Sequence, residues 1–566
     1  MTGRAIAALG AFLLFSSVAF SVARRPDSMP TRVLRQASPP DVDRRSRSIE
    51  DSITLIIRTR LQGTDVAGRE AALSLEPLRR FYAGLQYAPA WLGSASMQAS
   101  LVGSIRSAEE QGLDPRVYHR AAIEARVTVD QEAGAVLLAE TDLLLSDAYL
   151  TLATHRAIGR TDPRAFLAGW RLPPRPFNAV ASLVAAIDSV GPAGALDAVD
   201  PAGHRFRELR AALSTLRGLE PWTLIPAGPG LAPGDSGPRV GALRQRLTGP
   251  TAAGAALADR YDESLVAAVR DFQEHQGLDV DGIAGRRTIA ALNVPADRRA
   301  RQIALSLERL RWLPAASDGP RIEVLIPAFE LRMFDGDSTV FTTRVIGGLH
   351  DWPTPSLTSE ITALTINPYW NVPSRILALE VLPAVIEDPR YLARHDMEIL
   401  SREGTRVSAS AIDWSRVDPF DFNYRVRQRP GPENALGRVK FVIDNPFDVY
   451  LHDTPLQSAF ARANRSISHG CVRVQSAMDL AVLVMAGTSW TRARLDSLVA
   501  LGAEQNVSVP RPVPVEIIYL TAWVGDDGRV QYRDDLYDLD LDLERRLTNP
   551  SQRPRAEPMS GDCAAS

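Results

Sequence analysis

Two cysteines occur in the 566-residue chain, Cys471 and Cys563. Cys471 stands in "RSISHGCVRV", next to Gly470 and directly after Ser468 and His469. Nineteen residues upstream, "DVYLHDTP" reads as a strand with Tyr450 and His452 on one face and Val449 and Leu451 on the other. A strand presenting His452 to an incoming cysteine would make a thiol–imidazole pair. Imidazole removes the thiol proton, so such a pair generates a sulfur nucleophile. Gly470 would let backbone approach a substrate carbonyl closely and its amide region receive an oxyanion. Other uses of Cys471 stay open on composition alone: a disulfide to Cys563, an inert buried thiol, or a zinc ligand with His452 and His469. The zinc set is thin, since catalytic zinc usually takes three protein ligands. Cys563 lies in "RPRAEPMSGDCAAS", which reads as an unstructured tail over 546–566.

The elements that must position these residues are spread over several domains. Length implies three or four. Composition is ordinary for a globular chain, at 45% hydrophobic and 23% charged, and the formal net charge of −3 gives no global reason to expect nucleic acid. Residues 1–23 carry one early charge, Arg4, and the run "AIAALGAFLLFSSVAFSVA", which fits a signal peptide or a membrane anchor. No later stretch reads as long and apolar enough to span a bilayer. Residues 24–47, rich in Arg, Pro and Ser, read as a linker.

Residues 48–225 have helical periodicity in "LSLEPLRRFYAGLQ" and "LLLSDAYLTLATHRAIGR", with Tyr87, Trp91, Tyr149 and Trp170 expected in the core. Residues 238–296 form a small helical module: Val240, Leu243 and Leu247 share one helical face, and Leu265, Val269 and Phe272 share another. From "RIEVLIPAFELRMFD" onward the pattern is that of strands, with a turn at "DGDS". A long insertion at about 374–436 separates two groups of strands and would suit a lid. His275 and His395 read as local structural residues.

The module at 238–296 resembles the peptidoglycan-binding domain of bacterial wall enzymes, on Phe272, Gly277, Leu278, Asp281, Gly282, Gly285 and Thr288. "ISHGCVRV" with His452 upstream resembles the signature of the L,D-transpeptidases, the YkuD-type cysteine enzymes. The large YcbB-like branch is the nearest likeness, through "NPYWNVP", "DNPFDVYLHDTP" and "VPVEIIYLTAWVGDDGRVQYRDDLY". One departure is Asp453, where many members have glycine. The resemblance implies a multidomain α+β chain: a helical scaffold domain, a small helical peptidoglycan-binding domain, and a mainly β catalytic domain at 320–545 with its lid insertion.

It further implies that Cys471 is the nucleophile and His452 the general base, its ring oriented by a backbone carbonyl near Asp453. The Asp453 side chain would help or merely cap the turn. His469 and Gly470 belong to the oxyanion or site loop, and Ser468 to that loop's hydrogen bonding. Arg473, Tyr450, Trp370 and Asn371 are substrate-binding candidates. The implied reaction cleaves the terminal D-alanine from a peptidoglycan tetrapeptide stem through a thioester and forms a 3-3 cross-link. Alternatives are an L,D-carboxypeptidase, a transferase attaching a protein to the wall, or, least favoured, a non-catalytic wall-binding scaffold. The resemblance implies no metal or cofactor. It implies a periplasmic setting, soluble or tethered to the inner membrane, with peptidoglycan stems as donor and acceptor, cell-wall synthases as candidate partners and carbapenems as acylating inhibitors.

Overall fold

The structure is a computed structural model. It describes residues 42–548 apart from 64, 68, 69, 72, 128–133, 168, 169, 171–173, 219–221, 250–258, 315–318 and 337. The expected leader at 1–23, most of the linker and Cys563 lie outside the described residues. The linker reading is corrected at its end, because a helix runs over Val42–Arg60. Ile53 and Ile57 bury one side of it against the scaffold core, which a linker composition at its first turns concealed.

The scaffold is built on the helix Ala135–Ile158, buried through most of its length. Tyr82, Trp91 and Tyr149 are fully buried around it, whereas Tyr87 is only partly covered. Asp142 is buried there too and accepts hydrogen bonds from the Ala90 and Trp91 amides and from the Tyr82 hydroxyl. Burial pushes its carboxyl up to about 6. The run Ala179–Val199 is, contrary to the sequence expectation, long and apolar enough to cross a membrane. Gly191-Pro192 masks it in the sequence. Here Leu183, Ala186, Ala195 and Leu196 of that run pack into the scaffold core.

The module has helices Pro238–Thr248, Glu263–His275 and Arg286–Leu292 around Val240, Leu243, Leu265 and Val269. Gln273 holds its turn together. Its amide nitrogen donates to Asp281 Oδ1 (2.8 Å) and the Ile283 carbonyl (2.9 Å), and its oxygen accepts from the Gly282 amide (2.9 Å). Asp281 and Gly282 thus serve the fold of the turn, whatever the module binds.

The catalytic region contains nine strands: β1 (Pro320–Leu325), β2 (Glu330–Asp335), β3 (Ser338–Gly348), β4 (Leu357–Ile366), β5 (Val439–Ile443), β6 (Leu451–His452), β7 (Ser466–Ser468), β8 (Val472–Val474) and β9 (Gln505–Ile518). Their order is β7-β3-β8-β6-β5-β4-β9-β1-β2, and β2 also pairs with β3, so the sheet closes on itself. Closure leaves few strand edges exposed. Its inner face buries Ile322, Leu331, Ile361, Leu364, Phe441, Leu451, Val472 and Val515, with the helix Ala477–Val484 packed onto the same core. The insertion forms a subdomain of its own. Trp370–Asn371, Arg425–Gln428, Met397–Leu400 and Arg406–Val407 make a four-stranded sheet over a core that includes Leu382, Val385, Ile399 and Val426.

Helix Ala296–Trp312 ties the domains together. Glu308 is 2% exposed and accepts from the Arg160 amide (2.6 Å), the Thr161 amide (3.0 Å) and the Thr161 hydroxyl (3.1 Å). Arg311, fully buried, donates to the Gln111 carbonyl. On the same helix, Gln302 donates to the carbonyls of Thr521 and Arg533. The hairpin Ala522–Val524/Val530–Tyr532 beyond β9 then reaches the module, where Asp527 meets His275 (2.7 Å) and Arg529 meets Asp271 (2.6 Å). His275 is therefore a joint between module and hairpin.

Removing the Glu308 carboxylate would strand three donors and the neighbouring Arg311 charge in a buried site. Glu308→Ala is expected to cost about 3 kcal/mol of stability. Thermal unfolding of the purified variant checks this; an unchanged midpoint would mean the scaffold joint does not depend on this carboxylate.

Candidate active site

The site is made by two very short strands. β6 and β8 pair in parallel, with Leu451 opposite Val472 and His452 opposite Arg473. Leu451 and Val472 point into the barrel core, so His452 and Arg473 share the outer face. Tyr450 and Cys471, each two residues before one of them, continue that face. The Val472 amide donates to the Tyr450 carbonyl (3.1 Å), which fixes the register at the strand mouth. Sequence separation of nineteen residues is thereby converted into adjacency.

His452 is 4% exposed, and its Nδ1 donates to the carbonyl oxygen of Asp453 at 2.6 Å. That bond leaves Nε2 as the lone-pair nitrogen. Burial pushes the imidazole down to about 3, with the Arg473 and Lys440 charges adding to the effect and the Asp453 carbonyl opposing it. His452 is thus a neutral base across the physiological range. The Asp453 carboxylate takes no part in this bond. It accepts from the Arg438 backbone and side chain, each at 3.0 Å, and lies against Gly437, whose φ of +60 and close approach leave no room for a Cβ.

The Cys471 thiol is half-buried and directed at the Asp448 carbonyl, 3.8 Å from sulfur. The loop before it is tightly pinned. Gly470 has φ +106, and the neighbouring Gly348 would place a Cβ 2.0 Å from the Trp352 carbonyl oxygen. Thr354 Oγ1 donates to the Gly470 carbonyl (2.8 Å) and accepts from the Gly348 amide (2.9 Å). Ser468 donates to the Cys471 carbonyl (2.6 Å), and the Gly470 amide leans toward the Ser468 hydroxyl at 3.2 Å. That last bond is long enough for a developing oxyanion to compete for the amide.

His469 faces the insertion. Its Nε2 is 2.5 Å from Glu380, and its ring meets Trp352 edge to face at 4.9 Å, while Arg375 covers the other part of Trp352 at 3.8 Å. Arg473 Nε is buried with no hydrogen-bond partner among the described residues. Tyr450 packs on His452 with ring centroids 5.6 Å apart. Trp370 and Asn371 are placed differently from the rest: they pair with Gln428 and Arg427 in the insertion's sheet, with Trp370 packed against that subdomain's core. His395 stacks on Tyr391 in the same subdomain. Among the described residues no three His, Cys, Asp or Glu side chains gather to hold a metal ion.

Comparisons with known proteins match three segments of the chain. Residues 319–505 match the family described as "L,D-transpeptidase catalytic domain" (YkuD), residues 76–213 a "Scaffold domain", and residues 236–292 a "Putative peptidoglycan binding domain". Residues 319–505 are thus similar to L,D-transpeptidase catalytic domains. A Haemophilus influenzae protein named "Putative L,D-transpeptidase" is 33% identical over 282 residues, which cover 48% of this chain and 57% of that protein. Less than two thirds of that relative is therefore spanned. Solved L,D-transpeptidases from Xylanimonas cellulosilytica (17% identity, 52% of this chain and 99% of that one, TM-score 0.17) and Stackebrandtia nassauensis (13%, 52% and 97%, 0.20) are more distant.

The family match ends at 505, yet β9 runs on to Ile518 between β4 and β1, so the sheet needs residues beyond the matched segment to close. Sequence reasoning missed Thr354, Trp352 and Glu380, which hold the loop from afar and carry no local signal. It also passed over Lys440, although the alternation in "VKFVI" places that side chain on the outer face beside His452.

Because folding lowers the pKa of His452, its contribution to stability is complete above the unfolded value near 6.5. It is lost as pH falls toward 3, since only the unfolded chain takes up the proton. His452→Gln removes that proton linkage. The stability gap between wild type and variant should change by about 1.4 kcal/mol per pH unit below 6.5. Urea unfolding at pH 6.5, 5.5 and 4.5 reads it; parallel curves would mean His452 is not held neutral.

Proposed function

We propose that the protein is a peptidoglycan L,D-transpeptidase that forms 3-3 cross-links, with Cys471 as nucleophile and His452 as base. One observation supports this reading: a backbone-oriented imidazole lies on β6, paired in parallel with β8, the strand that Cys471 immediately precedes, in a segment matched to that family. His452 Nε2 takes the thiol proton as sulfur attacks the carbonyl between the third residue of the stem and the terminal D-alanine. The proton passes to the departing D-alanine amine, leaving a thioester on Cys471. An amine of a second stem then attacks, His452 accepts its proton, and the thiol is restored. Water in place of the amine would give a carboxypeptidase, so the insertion's role is to cover the site during acyl transfer.

Arg473, with its unpartnered Nε, and Tyr450 would meet the donor stem beside Cys471, and Trp370 and Asn371 would contribute through the insertion's sheet. His469, held by Glu380, would couple the site loop to the insertion's position. The module at 236–292 would retain the enzyme on the wall, and the insertion together with "YLHDTP" favours the YcbB-like branch. A periplasmic location follows from the substrate and from the apolar run at 1–23.

Incubating the protein with tetrapeptide muropeptides should release D-alanine and yield a 3-3 dimer, with His452→Gln slower by about 10²-fold or more. Free tripeptide as the sole product would favour the carboxypeptidase, and linkage to a lysine-bearing protein the attachment transferase. A carbapenem should leave one adduct, mapping to Cys471 and absent from Cys471→Ser. Neither turnover nor adduct in folded protein would sink the reading.

A further inference from the structure

Of the 64 basic side chains in the chain, all but one are arginine; the single lysine is Lys440. It lies on β5 in register with His452 of the neighbouring antiparallel strand, so that Lys440, His452 and Arg473 form a row across β5, β6 and β8. Its ammonium sits 4.0 Å from the ring centre of Tyr450, whose ring in turn packs on His452. Lys440 makes no hydrogen bond or ion pair to a carboxylate among the described residues. Every other basic side chain is an arginine, and the one compact point charge stands in register with His452.

The row raises an electrostatic question. A cysteine–histidine pair usually stabilises its thiolate with an imidazolium. His452 is buried, bonded to a carbonyl instead of a carboxylate, and held neutral, so it lends the sulfur no resting positive charge. We infer that Lys440 supplies that charge: its ammonium, flanking His452 on the outer face of the barrel, stabilises the Cys471 thiolate and so makes the sulfur reactive beside an uncharged base. In the resting equilibrium the thiol proton goes to solvent and His452 stays neutral; during attack it passes through His452 Nε2 to the departing amine, and Lys440 transfers none.

The groups that strand register brings round Cys471 are consistent with this assignment. From β5 comes Lys440, from β6 and the turn before it His452, Tyr450 and the Asp448 carbonyl, and from β8 Arg473. Asp448 and, before β9, Glu504 are the acids whose charges reach Lys440, and both favour its protonated form. The insertion adds Glu380, which is engaged with His469. Burial pulls the Lys440 amine downward while the Cys471 sulfur pulls it up, as expected for a cation kept near an anion. Arg473 feels the same sulfur and would share the task.

The inference deepens the cysteine-nucleophile reading and is tested without peptidoglycan. In a Cys563→Ser background, alkylation of Cys471 by iodoacetamide is followed by intact mass from pH 5 to 10. Lys440→Met should move the inflection up by about one pH unit and slow alkylation at pH 7 by up to about tenfold. Lys440→Arg should restore most of both, a recovery that a purely packing role for Lys440 would not produce. If Lys440→Met does not fold, Lys440→Gln is read in its place. An inflection that stays put on loss of the charge, or that moves as far in Lys440→Arg, would overturn the inference. Such a result leaves the transpeptidase reading standing, since that is decided by D-alanine release and the 3-3 dimer.

Discussion

The rest of the site depends on one pairing: two residues of β6 lying parallel to β8. Parallel strands cannot be joined by a tight turn, and each such pair needs a long crossover. Here the crossover is the segment from Asp453 to Cys471, which must leave β6, pass Phe460 buried against Ile346, add β7 beside β3, and return. The glycines and hydroxyls of "SISHGC" serve that return. Gly470 takes a positive φ that other residues resist, and the Ser468 and Thr354 hydroxyls satisfy carbonyls the turn would otherwise leave unpaired. The motif is thus first a solution to a chain-reversal problem, and the half-buried sulfur is its product.

Burial then decides the chemistry of the histidine. A carboxylate partner would favour imidazolium, whereas a carbonyl partner fixes the tautomer without charge. Asp453 offers both groups. The fold spends its carboxylate on Arg438 and the tight Gly437 turn, leaving only its carbonyl to His452. The Asp453 carboxylate thereby braces the start of β5 from the end of β6.

Much of this was legible in the sequence because the signals are local. Helical periodicity marks the scaffold and the module, and alternation places His452 and Tyr450 on one face of their strand. The turn glycines of the module could likewise be read, since Gly277 sits at φ +62 under Arg533. What was not legible is non-local. Nothing near Trp370 shows that it pairs with Gln428 rather than with a barrel strand. The helix at Val42–Arg60 hid behind a linker's composition, and Ala179–Val199 behind Gly191-Pro192, because both are stabilised by the core they join and not by their own propensities.

The same non-local logic links the domains. Hairpin 522–532 follows directly from β9, the strand that closes the barrel between β4 and β1. Its far end carries Asp527 and Arg529 into contact with His275 and Asp271 of the module, and Gly277 lacks a side chain where Arg533 crosses. Helix Ala296–Trp312 enters from the module and buries Glu308 and Arg311 against the scaffold. Helix and scaffold are therefore joined through the buried charges of Glu308 and Arg311, tolerable only when each finds its partner, whereas the pairs between hairpin and module are partly exposed. The module's position against the hairpin is thus marked by His275, Asp271 and the bare Gly277, residues that meet Asp527, Arg529 and Arg533.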